Sequence, residues 1–212
     1  MDAKIIYLKE EIDFNKDSSK LAIVTKNGEL YIHSAPTYQN PNIKMSLYKQ
    51  PSSMKFSPHN NNNLIGFTFD DGSIKVVDIN KGEITANLEN FHIGACTGLS
   101  FSSVSDVFVA SCGLDGKINF FDIQKKTLIK NIDTKSQLTD VVFIRGNQVA
   151  CSDRNGGVFV YDIKNSKQPT YILFGNQGRV NHLTFVERQG LPNNNMFGQS
   201  QNPSLLDSNT KS

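Results

Sequence analysis

Short runs of alternating apolar and polar residues recur along the whole chain of 212 residues. Each run is about five to seven residues long, and Gly, Asn and Asp separate it from the next. Because successive side chains of a strand point to opposite faces of its sheet, this pattern is typical of short antiparallel β-strands. No apolar period of 3.6 residues continues for the length of a helix. The pattern therefore predicts an all-β fold.

Tight-turn dipeptides punctuate these runs at a regular interval. The four are Asn27-Gly28, Asp71-Gly72, Asp115-Gly116 and Asn155-Gly156, and their glycines lie 44, 44 and 40 residues apart. Both positions of such a dipeptide tolerate positive φ, so each predicts a hairpin between two strands. A repeat of about 40 to 45 residues with several strands per unit is typical of a β-propeller blade.

Two further landmarks keep the same register. Behind the turns, the segments 74–78 (IKVVD), 118–122 (INFFD) and 158–162 (VFVYD) align with one another. Ahead of the turns, strands end in phenylalanines spaced 45, 42 and 42 residues apart, namely Phe56, Phe101, Phe143 and Phe185. Because these aromatic residues repeat at the blade period, we expect them in the core rather than on a base-stacking surface.

Each complete unit is predicted to contain four strands, a to d. The predicted strands are 53–57, 64–69, 73–79 and 83–88 in the second unit, 97–102, 107–112, 117–123 and 127–132 in the third, and 138–144, 148–153, 158–163 and 170–174 in the fourth. The first unit, near residues 4–48, is degenerate and keeps strands 21–25 and 30–34. Residues 179–187 are predicted to form a lone fifth strand a. The domain prediction is a partial propeller over residues 1–189 and a disordered polar tail over 190–212.

The c-strand pattern resembles that of WD40 repeats over residues 19–187. The Asp of the signature dipeptide is kept as Asp78, Asp122 and Asp162, whereas the Trp is replaced every time and the chain contains no Trp at all. The resemblance implies a WD40-type β-propeller, partial here, with about four blades of four antiparallel strands.

Within this family the sequence is most similar to GCP-WD, the group that targets the γ-tubulin ring complex. The runs that carry this resemblance are 97–102 (TGLSFS), 113–118 (GLDGKI), 125–130 (KKTLIK), 138–143 (LTDVVF), 156–162 (GGVFVYD) and 180–185 (VNHLTF). The resemblance implies a non-enzymatic scaffold that recruits γ-tubulin complexes to microtubule-organising centres and the spindle for microtubule nucleation. It also implies a place in the cytoplasm and cytoskeleton, at a microtubule-organising centre or spindle pole. The alternative is a generic WD40 adaptor in a ubiquitin-ligase or trafficking assembly.

The sequence departs from that family in extent. GCP-WD members have a propeller of seven blades and a downstream helical region that binds γ-tubulin complexes, whereas this sequence predicts about four blades. The resemblance therefore implies at most the targeting platform of that family, not its γ-tubulin-binding end. A closed four-bladed ring is possible in principle. An open arc leaves unpaired edges, so we expect the C-terminal part of a larger propeller or a truncated gene model.

Charge and cysteine content exclude several classes of function. Lys and Arg number 22 and Asp and Glu number 20, so the net charge is +2 and the lysines are scattered. We therefore expect protein partners, no nucleic acid and no membrane insertion. The three cysteines form no CxxC pair, which argues against a zinc site and favours a reducing compartment. Asp2 and Lys4 interrupt the N-terminus, where no apolar run has the length of a signal peptide.

Candidate chemistry is sparse, and we predict no catalytic residue, no metal site and no cofactor. The four histidines have no metal-ligand spacing. In WD40 folds, a His before strand a, a Ser in strand b and an Asp in the b–c turn form a buried hydrogen-bond chain, which predicts such a chain from His92, Ser111 and Asp115. Phe121 replaces the Trp that would finish it. Arg154 and Arg179 are expected at one end of the same blade, as candidate contacts to a protein partner together with Asp115 and His92.

The remaining acidic residues fit turns better than acid–base catalysis. Asp71, Asp115 and Asn155 precede a turn glycine, where a short polar side chain caps its own backbone. The strand-c residues Asp78, Asp122 and Asp162 are expected to bond to neighbouring backbone N–H groups. A propeller hydrolase is the third hypothesis, and it requires two carboxylates and a His that converge at the central channel.

Overall fold

The described part of the chain consists of β-strands joined by turns and loops. A computed structural model describes residues 11–59, 63–105, 107–174 and 178–186, and within these ranges it contains sixteen strands in four antiparallel sheets of four. The predicted tail 190–212 lies outside the described residues. In the described ranges, no helix is long and apolar enough to cross a membrane.

Each sheet is one blade, with its strands in chain order. Blade A contains β1 (Glu11–Phe14), β2 (Lys20–Val24), β3 (Glu29–Ser34) and β4 (Pro41–Ser46). Blade B contains β5 (Ser53–Phe56), β6 (Leu64–Thr68), β7 (Ile74–Asp78) and β8 (Glu83–Leu88). Blade C contains β9 (Cys96–Phe101), β10 (Phe108–Gly113), β11 (Lys117–Asp122) and β12 (Thr127–Asp133). Blade D contains β13 (Leu138–Phe143), β14 (Gln148–Asp153), β15 (Val158–Asp162) and β16 (Tyr171–Leu173).

The predicted blades are confirmed, and most strand ends move by one residue. The first unit is more regular than predicted, because β1 and β4 complete a four-stranded sheet around the two strands that its sequence retains. The predicted fifth strand a is wrong over its described part, since residues 178–186 form no strand. The backbone of this segment is instead held by single bonds, such as the 2.8 Å bond from the N–H of Leu183 to Asp140 Oδ2.

The hairpin turns lie where predicted but have a different geometry. Only the glycine of each dipeptide has positive φ, with values of 77° to 92° at the four positions. In blade A the N–H of Gly28 donates to the carbonyl of Thr25 at 2.8 Å, and the N–H of Thr25 donates to the carbonyl of Glu29 at 3.0 Å. This is the three-residue loop in which a type I turn precedes a left-handed residue. The residue before the glycine therefore keeps an ordinary backbone conformation.

The hydrophobic core is divided into three layers, each lying between consecutive blades. Leu30 and Ile32 of blade A pack with Phe67 and Phe69 of blade B, and equivalent layers lie between B and C and between C and D. Full burial of one Leu, Ile or Phe side chain contributes about 1.5–3 kcal/mol relative to exposure. Three of the four periodic phenylalanines belong to these layers as predicted, since Phe56, Phe101 and Phe143 are at most 8% exposed. The fourth, Phe185, is half-buried and lies outside the three layers, so the prediction of a core position is wrong for it.

Hydrogen bonds between innermost strands add to this packing. The N–H of Phe56 in β5 donates to Asp13 Oδ2 in β1 at 3.0 Å, and the N–H of Phe143 in β13 donates to Ser100 Oγ in β9 at 3.1 Å. In each pair the acceptor precedes the last residue of its own strand. The matching position between blades B and C is Lys55, whose ammonium group offers no acceptor.

Candidate functional site

A cleft of about 250 Å³ opens at the end of the inner strands where the b–c turns lie. We call it the turn-end cleft. Arg154, in the b–c turn of blade D, and Arg179, in the segment that follows blade D, both line it. Glu11 at the start of β1 and Asp70 in the b–c turn of blade B lie in the same wall. The structure thus places the two predicted arginines in one cleft, which two acidic residues also line.

The two arginines are presented differently. Arg154 is held in place, because its Nη1 donates to Gln137 Oε1 at 3.2 Å and its backbone N–H donates to the carbonyl of Gln137 at 3.2 Å. Arg179 is exposed. On the acidic side, Asp70 accepts a hydrogen bond from Ser52 Oγ at 2.9 Å. The mixed charge of this cleft suits a polar protein surface better than a uniformly charged polymer.

The predicted hydrogen-bond chain is present in blade C. The carboxylate of Asp115 lies 3.0 Å from His92 Nδ1, and Ser111 Oγ lies 2.8 Å from His92 Nε2. Asp115 also accepts the backbone N–H of Ile93 at 3.0 Å and that of Lys117 at 3.2 Å. These bonds tie the loop between blades B and C to the b–c turn of blade C.

Asn119 is the fourth member of this chain, and the sequence reasoning missed it. Its Nδ2 lies 3.2 Å from His92 Nε2 and donates to the carbonyl of Phe91 at 2.9 Å. The expected end of the chain, Phe121, is fully buried and packs edge-on against Phe91 at 5.0 Å between ring centroids. Asn119 lies two residues before Phe121 on β11, so both point to the same face of the strand. The hydrogen-bond chain therefore ends at Asn119, two residues before the position that Trp occupies in WD40 repeats.

The electrostatics of this chain favour a neutral imidazole. Burial lowers the pKa of His92, although Asp115 opposes that shift through its hydrogen bond and charge. With Nδ1 donating to Asp115, Nε2 accepts the hydroxyl proton of Ser111. Ser111 is 0% exposed, so its hydroxyl cannot reach a substrate. The group stabilises the blade and has no access for nucleophilic catalysis.

His92 and Asp115 hold the loops beside the cleft, whereas Arg154 and Arg179 line the cleft itself. Both side chains are buried, whereas Ile93, next to His92, is 79% exposed. Leu114, next to Asp115, lines the turn-end cleft and donates its N–H to the carbonyl of Ala95 at 3.0 Å. The buried pair fixes the two loop segments that form this side of the cleft.

The acidic residues at the ends of strand c bond to backbone N–H groups, as predicted. Asp78 accepts from Asn80 at 2.9 Å, Asp122 from Gln124 at 3.0 Å, and Asp162 from Lys164 at 2.8 Å. Each bond spans two residues and closes an Asx turn at the start of the c–d loop. The Asp that ends strand c in blades B, C and D therefore has a structural function in this chain.

Asp71 and Asp115 cap the backbone of their b–c turns as predicted, whereas Asn155 does not. Asp71 accepts the N–H of Ser73 at 3.0 Å, and its contacts with Lys49 and Ser73 lower its pKa to about 2. In blade D the capping group is Asp153 rather than Asn155, since Asp153 Oδ1 accepts the N–H of Asn155 at 2.9 Å and that of Gly157 at 2.8 Å. Asp153 opens this turn three residues before Gly156, and Asp is favoured at the first position of such a turn because its side chain accepts the N–H groups that follow.

The other titratable groups offer no metal or thiol chemistry within the described ranges. The three cysteines, Cys96, Cys112 and Cys151, are free and buried, and burial raises the pKa of each thiol. No cluster of three or more His, Cys, Asp or Glu side chains among the described residues could hold a metal ion. His182 Nδ1 lies 2.7 Å from Asp140 Oδ2, and its Nε2 lies 3.2 Å from Lys55 Nζ. The propeller-hydrolase hypothesis requires a His beside two carboxylates, whereas His182 contacts one carboxylate and one ammonium group.

Comparison with known proteins identifies similar chains. The protein NEDD1 of Homo sapiens is 24% identical over 187 residues, which cover 82% of this chain and 26% of NEDD1. NEDD1 of Mus musculus is 24% identical over 203 residues, which cover 85% of this chain and 31% of that protein. The E3 ubiquitin-protein ligase COP1 of Arabidopsis thaliana is 22% identical over 155 residues, covering 72% of this chain and 23% of COP1. No family model matches the sequence.

These similarities confirm the resemblance expected from the sequence. Together with four antiparallel blades of four strands, they give the chain the fold of a partial WD40-type β-propeller. The chain spans less than a third of the length of the NEDD1 proteins that it matches.

Proposed function

We propose that this chain is a non-enzymatic protein-interaction scaffold that recruits γ-tubulin ring complexes to microtubule-organising centres and the spindle. The observation that carries the proposal is the similarity to NEDD1, which extends over 82% of the chain. It agrees with the ordered motif runs of the GCP-WD type in blades C and D. The proposed location is accordingly the cytoskeleton, at a microtubule-organising centre or spindle pole.

The proposed contact surface is the turn-end cleft. Arg154 and Arg179 supply cationic groups to the partner, and the exposed side chain of Ile93 adds apolar contact area at the neighbouring loop. His92 and Asp115 act as positioning residues, because their buried bonds hold that loop. Arginine and apolar anchors of this kind carry much of the energy of protein interfaces.

The same proposal holds that the chain is not an enzyme. The hydroxyl of Ser111 is enclosed, the thiols are protonated at neutral pH, and the arginines share the turn-end cleft with two acidic residues. Each feature supports a binding function over group transfer.

Affinity capture from the native cell tests the proposal. We expect the tagged full-length protein to retain γ-tubulin, and the double substitution Arg154→Glu with Arg179→Glu to reduce the captured γ-tubulin about tenfold. The matched control carries the same charge change at two exposed lysines of the c–d loop of blade D, Lys164→Glu with Lys167→Glu, and should capture as much as the unchanged chain. Consistent absence of γ-tubulin from captures of the unchanged chain would refute the proposal.

A generic WD40 adaptor in a ubiquitin-ligase or trafficking assembly is the second candidate. The similarity to the E3 ubiquitin-protein ligase COP1 over 72% of the chain supports it. Localisation of the fluorescently tagged chain separates the two functions. Signal at basal bodies, centrosomes or spindle poles supports γ-tubulin recruitment, and a diffuse or vesicular signal supports the adaptor.

A further inference from the structure

A second cavity, of about 600 Å³, lies at the opposite end of the inner strands from the turn-end cleft. We call it the inner cavity. The a–b loops of all four blades contribute to its wall, together with residues 183–185. Three cationic residues line it: Lys16 from blade A, Lys55 from blade B and Arg145 from blade D. Among the described residues that line the cavity, no Asp or Glu is present.

The apolar part of the wall is built by a periodic feature of the sequence. All four phenylalanines spaced at the blade period line the inner cavity, namely Phe56, Phe101, Phe143 and Phe185. The strand register brings them together, because each of the first three ends the innermost strand of its blade. Their spacing therefore produces an aromatic wall beside the cations as well as a buried core.

The nearest carboxylates are engaged with other groups. Asp13 accepts the N–H of Phe56. Asp140 accepts the N–H groups of Val141 and Leu183, each at 2.8 Å, and pairs with His182. Both acids use oxygen atoms for bonds within the propeller and do not line the cavity, so the charged residues of its described wall are the three cations.

We propose that the inner cavity binds an acidic peptide segment of a partner protein that carries an aromatic or aliphatic side chain. This inference rests on the proposed scaffold function and names the chemistry of one partner segment. The three cations match carboxylates of the peptide, and the phenylalanines match its apolar side chain. A purely phosphate-like ligand would leave that aromatic wall without a partner.

The chain's own terminal segments do not have the required charge. Residues 187–212 contain Glu187, Arg188, Asp207 and Lys211, and residues 1–10 likewise contain two acidic and two basic residues. Both segments are formally neutral, so neither complements a cavity lined by three cations.

Fluorescence anisotropy of the full chain with synthetic peptides tests this proposal. The probe is a fluorescein-labelled heptapeptide of six Glu residues around one central Phe. We expect saturable binding that weakens with added salt, about tenfold weaker binding when Gln replaces every Glu, and a similar loss when Ala replaces the Phe. Equal binding of the Gln peptide, or no binding of the Glu peptide, overturns the proposal.

Protein variants locate the binding site. Lys16→Gln with Arg145→Gln should weaken the Glu peptide about tenfold, whereas Lys164→Gln with Lys167→Gln should not, and circular dichroism checks that each variant is folded. Unchanged affinity in the first variant contradicts the proposal. Full displacement by inorganic phosphate, with no loss for the Ala peptide, assigns the cavity to small anions and also overturns it. Loss of γ-tubulin capture with intact peptide binding would contradict the proposed function alone, and the reverse pattern would contradict the inner-cavity proposal alone.

Discussion

The side chain of Asp13 accepts the backbone N–H of Phe56 across the boundary between the first two blades, at 3.0 Å. The donor lies 43 residues beyond the acceptor, and Ser100 and Phe143 repeat the bond with the same separation between blades C and D. At these two boundaries, one side chain thus satisfies a backbone donor of the next inner strand.

Removing this acceptor should loosen the boundary between blades A and B. We expect Asp13→Ala to lower the free energy of unfolding by about 1–3 kcal/mol, because the half-buried N–H of Phe56 loses a charged partner. Urea denaturation followed by circular dichroism measures the change. The control Glu83→Ala, on an exposed position of β8, should alter stability by less than about 0.5 kcal/mol. Equal effects of the two substitutions would show that the Asp13 bond has no special importance.

The buried imidazole of His92 predicts loss of stability in mild acid. Its folded-state pKa is lowered by burial, so below its ordinary value of about 6.5 the unfolded chain binds more protons than the folded chain. The contribution of the neutral His92 to the free energy of unfolding is complete above about pH 6.5 and declines as the pH falls towards the folded-state pKa. Denaturation between pH 7.5 and pH 5 should show this slope.

The variant His92→Asn isolates that contribution. It removes the titrating group, and we expect it to be less stable than the unchanged chain at pH 7.5 because Ser111 and Asp115 lose their buried partner. The difference in stability between the two chains should shrink as the pH falls. A difference that stays constant from pH 7.5 to pH 5 would contradict a lowered pKa of His92 in the folded chain.

Gly98 is required by the close approach of blade D. A Cβ atom at this position would lie 2.6 Å from Asp140 Oδ1 and 2.9 Å from Asp140 Cα. Because a backbone atom is among the obstacles, we expect Gly98→Ala to destabilise the fold by about 1–3 kcal/mol. The matched control is Gly178→Ala, where a Cβ meets nothing within 4 Å. Thermal unfolding of both variants measures the difference, and similar melting temperatures would contradict the close packing.

The three thiols should be unreactive in the folded chain. Burial raises the pKa of Cys151 to about 12 and shifts those of Cys96 and Cys112 upwards as well, so thiolate is scarce at pH 8. A chromogenic disulfide reagent should titrate all three thiols in 6 M guanidinium chloride and react far more slowly in buffer alone. Rapid reaction of even one thiol in the folded chain would conflict with its burial.

The repeat spacing of the sequence predicted the blades, whereas the hydrogen-bond partners of single side chains were harder to predict. Turn dipeptides and strand-end phenylalanines identified blades B, C and D because both recur in each unit. Blade A has the turn dipeptide Asn27-Gly28 but less regular strand signals, and β1 and β4 complete its sheet by pairing with the hairpin of β2 and β3. The bonds of Asp78, Asp122 and Asp162 followed from their turn chemistry, since an Asx turn depends on local sequence alone.

Features that depend on two distant segments were harder to predict. Asn119 became visible as a partner of His92 only when the register of β11 was known, because a one-residue slip would point it to the other face. The same holds for the inner cavity, where Lys16 and Arg145 come from blades that are far apart in sequence. Residues 178–186 have an apolar pattern like that of a strand but no partner strand in the described part of the chain.

The inner strands contact one another in the order β1, β5, β9 and β13, and the layers of the core follow the same succession. An architecture of this kind approximates a linear array, whose stability is a sum of unit terms and nearest-neighbour terms. If one blade-length segment is duplicated or deleted, the remaining blades still meet through boundaries of the same kind. Blade number is therefore a trait that evolution can change in whole units, without redesign of the boundaries already present.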